Sequence, residues 1–459
     1  MTNDRFTDHD DETRELVLDF ERTVLRGDSQ FFDVDELEII IDYYLEVEDL
    51  KPLSAAIDYA EQLYPDSPEV KIRRAHWYVA NHQPETALNI LLALRRQQPN
   101  DTDIAYSLGV VYGELGQSEK AIEEFLVAAT DGWQLGRIYS NIAEEYYKLQ
   151  DYNNSLSYYL KALQIEPEDT VTLYNYTDTA VRAGLADEAV QYLNLMLEDH
   201  PYYKEAWQCL ASAYRAVGLN DRAVDALEYA VAIDPMFQPA YFDLSLTFEV
   251  EGDIPQAATA LTRLLAKTDD KAPVLSALGQ LFLRAGNPEP ALQYLRKALE
   301  LHPDDAQIHA SLALTCLHMS DLSLASTHAR KALALDPQNP DALLASAFVH
   351  QERNDFDAAD EDFEKLILSP QCNESHCRQY AHYLYDRGMY DILIDFAEES
   401  LQLYPDDPFY STYLSAALFL TNRYNRLRHA LPHADTGFLR KLCPQLWENP
   451  RVASLLPEE

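Results

Sequence analysis

The sequence is poor in glycine, in cysteine and in positive charge. Its 459 residues include 13 Gly, 5 Cys and 36 Lys+Arg against 77 Asp+Glu, so the formal net charge is −41. So few glycines leave no long flexible linker, and five scattered cysteines favour reduced thiols over a disulfide framework. The acidic excess argues against nucleic acid or an anionic membrane as a partner, because both attract basic residues. It predicts a self-repelling surface, with attraction to a basic partner as the alternative.

Common catalytic motifs are absent as well. The chain contains no GxxxxGK phosphate loop, no HExxH and no GxSxG. Cysteines and histidines of the kind that bind zinc occur between residues 372 and 382, but their spacing is loose and no second CxxC pair follows. We therefore expect no enzymatic activity, no cofactor and no bound metal. The residues concerned are Cys372, His376, Cys377 and His382.

Long apolar runs are also missing. No segment reaches the length of a membrane span, and the start of the chain, residues 1–15, is polar and acidic rather than basic and then apolar like a signal peptide. With the reduced thiols, this predicts a cytoplasmic protein that does not bind membranes.

What the chain does contain is proline at a fixed interval. From Pro65 to Pro405 there are ten equal steps (405 − 65 = 340 = 10 × 34), and no insertion breaks the phase. A fixed period of this length indicates stacked supersecondary units. The prolines on this ladder are Pro65, Pro99, Pro167, Pro201, Pro235, Pro303, Pro337 and Pro405.

Small residues keep the same phase. Every residue that lies ten positions after a rung of the ladder is Ala, Gly, Ser or Thr, from Ala75 to Ser415. A second small column lies twelve positions before the rungs, from Ala87 to Ala359. Small side chains let two helix axes approach closely, and apolar residues three and four apart mark the buried stripe. Each unit is predicted to be two antiparallel helices joined by a tight turn.

This pattern closely resembles the tetratricopeptide repeat (TPR). The resemblance covers residues 68–441 as eleven 34-residue repeats, and it implies an all-α fold: an α-solenoid, a right-handed superhelix of about twelve helical hairpins. Departures from the repeat at 340–441 predict irregular hairpins there. Residues 204–237 carry the family signature in Trp207, Leu210, Ala211, Tyr214, Gly218, Ala223, Leu227, Ala230 and Pro235.

The flanking segments are expected to complete the stack. Residues 34–67 fit a degenerate first hairpin, 1–33 an acidic N-terminal capping helix and 442–459 a C-terminal cap, because terminal repeats need covers. The capping helix is predicted over 11–26. Its covering side chains would be Leu16, Val17, Phe20 and Val24, and those of the C-terminal cap Trp447 and Leu455.

The resemblance also implies a binding surface. In the TPR family, positions 2, 5, 9, 12 and 13 of the first helix of each hairpin line a concave groove, where position 1 is Lys204 in residues 204–237. Aromatic and charged residues at these positions suit a peptide or a partner helix, although each ring could instead pack between neighbouring repeats. The predicted groove residues are Tyr106, Glu144, Tyr147, Lys148, Tyr174, Asp178, Arg182, Gln208, Ser212, Arg215, Phe242, Leu246 and Glu249.

One known TPR specificity is not expected. Family members that hold a C-terminal carboxylate use Lys, Asn and Arg at positions 5 and 9, and here those positions carry other residues, such as Tyr174 and Asp178. Chaperone-tail binding is therefore not predicted.

The sequence thus predicts a non-catalytic protein–protein interaction scaffold, monomeric, with a protein or peptide partner that is basic or of mixed charge. The alternative is a self-assembling structural rod. Residues 1–66 hold 20 Asp/Glu and 5 Lys/Arg (5 − 20 = −15), whereas residues 408–441 hold five basic residues and one acidic (5 − 1 = +4). These ends could pair head to tail between molecules.

Overall fold

The computed structural model describes residues 11–26, 31–47, 49–405, 407–449 and 451–452. Over these residues the protein is all α, with 27 α-helices, two short 3-10 helices and no strand. Consecutive helices pack as antiparallel pairs, which confirms the predicted α-solenoid of helical hairpins. The chain forms two compact units, Met1–Asp243 and Leu244–Glu459.

The first unit contains thirteen complete helices among its described residues, most of them similar in length. They are α1 Asp11–Arg26, α2 Val34–Glu46, α3 Leu50–Leu63, α4 Pro68–Ala80, α5 Pro84–Gln97, α6 Thr102–Glu114, α7 Ser118–Ala128, α8 Leu135–Lys148, α9 Tyr152–Ile165, α10 Thr170–Arg182, α11 Ala186–Asp199, α12 Lys204–Ala216 and α13 Asn220–Ile233.

The division between the units falls within α14, Gln238–Val250. The described helices that follow in the second unit are α15 Ile254–Leu265, α16 Ala272–Arg284, α17 Pro288–Leu301, α18 Ala306–His318, α19 Leu322–Leu335, α20 Pro340–Glu352, α21 Phe356–Leu368, α22 Glu374–Asp386, α23 Tyr390–Leu403, α24 Pro408–Leu420, α25 Tyr424–Ala430, α26 Thr436–Leu442 and α27 Gln445–Glu448.

Most repeats begin with a helix whose N-terminus is capped by a side chain. The capping residue lies two positions after the ladder rung, and its side-chain oxygen accepts a hydrogen bond from a backbone N–H in the first turn. Such a cap satisfies a donor that the helix itself cannot pair. The capping residues in this column are Ser67, Asp101, Asp169, Asp305, Asn339, Asn373 and Asp407.

The turn inside each hairpin requires a left-handed backbone. The predicted glycine column supplies it at six turns, with φ between 68° and 78°. Five other turns in the same phase adopt positive φ without glycine, which the sequence pattern did not predict. Asparagine tolerates this conformation better than most residues, and the others accept a modest strain. The five residues are His82, Gln150, Ser320, Asn354 and Asn422.

The small-residue columns are buried, as predicted. Ala211, Ala223 and Ala313 have no exposed surface. A Cβ atom added to Gly279 would lie 2.5 Å from Leu295 Cγ, so a larger side chain at this position could not be accommodated without displacing its neighbour. The columns therefore set how closely paired helices approach.

Irregularity within 340–441 is confined to the last hairpin. Helices α20 to α24 keep the length of the earlier repeat helices, whereas α25 is much shorter and is followed by a 3-10 turn, Leu431–His433, and then by α26. Pro432 lies in this turn, and proline cannot continue a helix without losing a backbone hydrogen bond. The expectation of irregular hairpins earlier in this range was wrong, because the substituted residues still fill the core.

The terminal helices cover apolar clusters. In α1, Val17 and Phe20 are buried with Phe32 and Tyr44. Val24 was predicted to join them but is 44% exposed. Thr23 takes the buried position in that turn, because a spacing of three from Phe20 also keeps to the same helix face.

At the other end, Cys443, Leu446 and Val452 are buried in one cluster, and Trp447 packs against it. Leu455, predicted as part of this cap, lies outside the described residues. That these segments act as caps stays a prediction.

Candidate binding surface of the first helices

Hydrogen bonds between successive first helices recur at the predicted groove positions. The side chain at position 9 contacts the side chain at position 6 of the next repeat. Position 9 is thus shared between the groove and the packing of neighbouring hairpins. The pairs and their distances are Asp42–Arg73 at 3.1 Å, His76–Ser107 at 3.0 Å, Glu144–Asn175 at 3.4 Å, Gln280–Ser311 at 3.1 Å and His382–Tyr413 at 3.0 Å.

A longer polar chain in the first unit joins three of the predicted residues. The Tyr174 hydroxyl donates to Gln208 Oε1 at 2.7 Å, and Gln208 Nε2 donates to Asp243 Oδ2 at 2.6 Å. Arg215 Nη1 donates to Asp243 Oδ1 at 3.0 Å. Burial raises the pKa of the Tyr174 phenol above its ordinary value, so it remains a proton donor at neutral pH. The chain holds Tyr174, Gln208 and Arg215 in fixed positions.

Sequence reasoning did not find Asp243, which accepts from both Gln208 and Arg215. It occupies position 6, outside the family's groove positions. The available signal was the repeated polar residue at this position, as in Asn141, Asn175 and Asp243, where a helix packed on two neighbours would otherwise carry apolar side chains.

Tyr106 packs between repeats. Its ring lies 5.7 Å from that of Phe125, and the Arg137 guanidinium is 5.5 Å from the ring centre. Asn141 Nδ2 donates to its hydroxyl at 3.3 Å. These contacts correspond to the alternative considered for every groove aromatic, so Tyr106 is a weaker candidate for binding a partner than its position implied.

Three predicted residues line one cavity of about 370 Å³ in the first unit: Glu144, Tyr147 and Asp178. Lys148, Tyr159, Asn175 and Thr179 complete its lining. Asp178 also pairs with Arg182 at 2.7 Å on the exposed side of α10. Sequence reasoning missed Tyr159 because it lies on a second helix, α9, behind the first helices.

The remaining predicted residues lie apart from this cavity. Phe242 is half-buried in the first unit, as is Ser212. Glu249 and the exposed Leu246 belong to the second unit. Glu249 accepts two hydrogen bonds from the Arg284 guanidinium, at 2.6 and 2.8 Å. Such a bidentate pair fixes both side chains.

One of the position-9 contacts makes stability depend on pH. Burial, with the nearby charges of Arg73 and Arg137, lowers the pKa of His76 to about 4. The unfolded chain therefore binds this proton more readily, and stability is lost as the pH falls below about 6.5. Between about pH 7.5 and about pH 5.5, we expect the free energy of unfolding of a His76→Gln variant to fall by roughly 1 kcal/mol less than that of the wild type.

Urea denaturation at the two pH values measures this difference. The same change at the exposed His302 is the control, and it should leave the wild-type pH dependence in place. Parallel pH profiles for wild type and His76→Gln would show that His76 does not contribute this dependence.

The cysteine and histidine side chains between residues 372 and 382 have other partners. His376 Nε2 lies 3.0 Å from Asp341 Oδ1, and His382 bonds Tyr413. The sulfurs of Cys372 and Cys377 are 3.8 Å apart. Among the residues described, no group of three or more His, Cys, Asp or Glu side chains is placed to hold a metal ion. Over the same residues, no helix combines the length and apolar character needed to cross a membrane.

Comparison with known proteins gives matches to family models along the chain. Models described as "Tetratricopeptide repeat" match residues 19–200, 210–273 and 276–340. A curated relative, the TPR repeat-containing protein YpiA of Bacillus subtilis (strain 168), is 24% identical over 181 residues. That alignment covers 39% of this chain and 42% of YpiA, so the chain spans less than half the length of this relative.

Solved structures similar to this chain include three repeat proteins. Cut9–Hcn1, an APC/C hetero-tetramer, aligns with 17% identity and a TM-score of 0.40 over 89% of this chain and 93% of the other. TTC0263, a thermophilic TPR protein of Thermus thermophilus, gives 26%, 0.31, 41% and 98% for the same quantities. A tetratricopeptide repeat protein of Parabacteroides merdae ATCC 43184 gives 20%, 0.38, 54% and 98%.

Proposed function

Because the chain belongs to the tetratricopeptide repeat family, we propose that it is a non-catalytic scaffold that binds a peptide or a partner helix along its first helices. Proteins of this family generally mediate protein–protein interactions. The proposed surface comprises the groove residues predicted from the repeat, with Tyr174 and Phe242 as aromatic anchors and Arg182, Arg215 and Glu249 fixing the register of the partner.

The observation that carries this proposal is the hydrogen-bonded chain Tyr174–Gln208–Asp243–Arg215. Side chains that are already held in place lose little conformational freedom when a partner binds, so more of the interaction energy appears as affinity. A row of polar groups and rings along successive first helices also matches the repeating side chains of an extended or helical peptide.

Charge supports a basic or mixed-charge partner. The chain carries a formal net charge of −41, and a field of one sign attracts oppositely charged molecules and speeds their association. An acidic peptide would be repelled. Free thiols at all five cysteines suit the cytoplasmic location that we propose with this function.

The groove is tested by replacing its anchors once a partner has been isolated by pull-down and mass spectrometry. We expect a Tyr174→Ala, Phe242→Ala double variant to lose more than about 1 kcal/mol of binding free energy, since aromatic anchors carry much of the energy of such interfaces. Isothermal titration calorimetry measures the loss, and circular dichroism verifies that the helices remain.

Tyr202→Ala is the matched control, because Tyr202 is 82% exposed and lies between α11 and α12. It should leave affinity unchanged. If the double variant bound as tightly as the wild type, the partner would occupy another surface.

The second candidate function is the self-assembling rod, favoured by the opposite charges of residues 1–66 and 408–441. Head-to-tail pairing would weaken as salt screens the charges. We expect a monomer; light scattering at low salt and high protein concentration decides, because an assembly that dissolves on adding salt would favour the rod.

A further inference from the structure

The cavity between α8, α9 and α10 combines aromatic walls with two carboxylates. Tyr159 and Thr179 are each 2% exposed and form its buried base. Lys148 and Asp178 are exposed and lie at its rim. Tyr147 supplies a second aromatic ring and Glu144 a second carboxylate. The volume of about 370 Å³ lies within the range of pockets that hold small ligands or single side chains.

The Glu144 carboxylate is the least satisfied charge in this cavity. Its hydrogen bond from Asn175 Nδ2 is long, at 3.4 Å. Burial raises its pKa, and the nearby Lys148 ammonium offsets this only in part. A half-buried carboxylate with one weak donor gains free energy from a cation that enters the cavity.

The basic groups near the rim already have acidic partners. Lys148 Nζ bonds Glu145 Oε1 at 2.6 Å, and Arg182 bonds Asp178 at 2.7 Å. The Asp178–Arg182 pair is exposed, with more than half of each side chain in solvent, so Asp178 can exchange this partner at little cost. Neither contact neutralises Glu144.

The two tyrosines favour a planar cation. The Tyr159 phenol lies close enough to Glu144 and Asp178 for both carboxylates to raise its pKa, after the larger effect of burial. Its oxygen and the two carboxylates can therefore reach one bound group. A guanidinium presents five N–H donors in a plane, pairs with carboxylates and stacks on aromatic rings. An ammonium cannot use the ring faces and several acceptors in this way.

We propose that this cavity is a binding site for an arginine side chain of the partner polypeptide. The assignment rests on the proposed peptide-binding function and adds the residue that the partner must present. Glu144 and Asp178 receive the guanidinium N–H groups, Tyr147 and Tyr159 cover its faces, and Lys148 stays paired with Glu145 at the rim. Specificity then comes from the match between donors and acceptors, because neutral analogues leave Glu144 without a cation.

The cavity can be tested without the natural partner. The probe is N-acetyl-arginine amide, compared with the neutral N-acetyl-citrulline amide and with N-acetyl-lysine amide, titrated into the full chain and followed by NMR of the probe. We expect the arginine probe to bind at least about tenfold more tightly than citrulline and also more tightly than lysine. Equal binding of citrulline would overturn the site, and equal binding of lysine would overturn its assignment to arginine.

Two variants locate the binding. Glu144→Gln keeps the shape of the side chain and removes its charge, so we expect it to weaken the arginine probe about tenfold. Asp178→Asn tests the rim in the same way and, being exposed, does not endanger folding. Glu188→Gln, an exposed change on α11 in the same unit, is the matched control and should bind the probe like the wild type. Unchanged binding in both cavity variants overturns the proposal.

The natural partner separates this inference from the proposed function. If Tyr174→Ala, Phe242→Ala abolishes partner binding while Glu144→Gln and Asp178→Asn do not affect it, the groove stands and the arginine site is wrong. If none of these changes affects partner binding, the proposed groove itself is wrong, whatever the probe does.

Discussion

Phe363→Ala is expected to lower the free energy of unfolding by about 3–5 kcal/mol, the loss typical of removing a fully buried aromatic ring. Phe363, in α21, has no exposed surface and stacks on Tyr383 with ring centres 4.3 Å apart. The rings of Phe348 and Tyr380 lie within 5.8 Å of it. Removing the ring empties a cluster shared by α20, α21 and α22, which the surrounding helices cannot refill.

Urea denaturation followed by circular dichroism measures this loss. Leu368→Ala is the control in the same helix, because Leu368 is 83% exposed and its replacement should change stability by no more than about 0.5 kcal/mol. In a repeat stack the damage should be greatest near the altered unit. Hydrogen exchange should therefore accelerate first in α20 to α22, and equal losses for the two variants would contradict the packing described here.

Leu446→Ala should cost about 2–5 kcal/mol, although the residue lies near the end of the chain. Leu446 is fully buried in α27, in the cluster that includes Leu439, Cys443 and Val452. The last hairpin has no following repeat to cover its apolar face, so these residues replace the missing neighbour. The variant should expose this face and aggregate at lower temperature than the wild type.

Differential scanning calorimetry and light scattering report the two effects. Gln445→Ala changes the neighbouring, exposed residue and should melt like the wild type. If Leu446→Ala also melted like the wild type, the C-terminal segment would not be acting as a cap.

The repeat phase predicted turns and packing more accurately than contacts. It placed a tight turn in every hairpin and buried the small-residue columns. It did not predict that His82, Gln150 and Ser320 would adopt the left-handed conformation. Glycine signals that conformation in a sequence because it adopts it at no cost, whereas other residues adopt it only when the two packed helices require it.

The candidate site shows the same division. Positions 5, 9 and 13 correctly indicated Tyr174, Glu144 and Arg182 as first-helix surface residues. Tyr106 has the same position as Tyr174, yet it packs against Phe125 and Arg137. Identical residues at one repeat position thus differ in role, because the side chains on neighbouring helices differ.

The sequence by itself determined the fold, since helix length, the turn and the small-residue columns are local or periodic properties of the chain. The fixed period assigns each position to a face of its helix before any contact is known. Only the tertiary structure decided which polar groups meet. The bonds Gln208–Asp243 and Glu144–Asn175 join residues 35 and 31 positions apart, and the cavity needs Tyr159 from a second helix. Such contacts depend on the rotamers and relative positions of three helices, which no single repeat encodes.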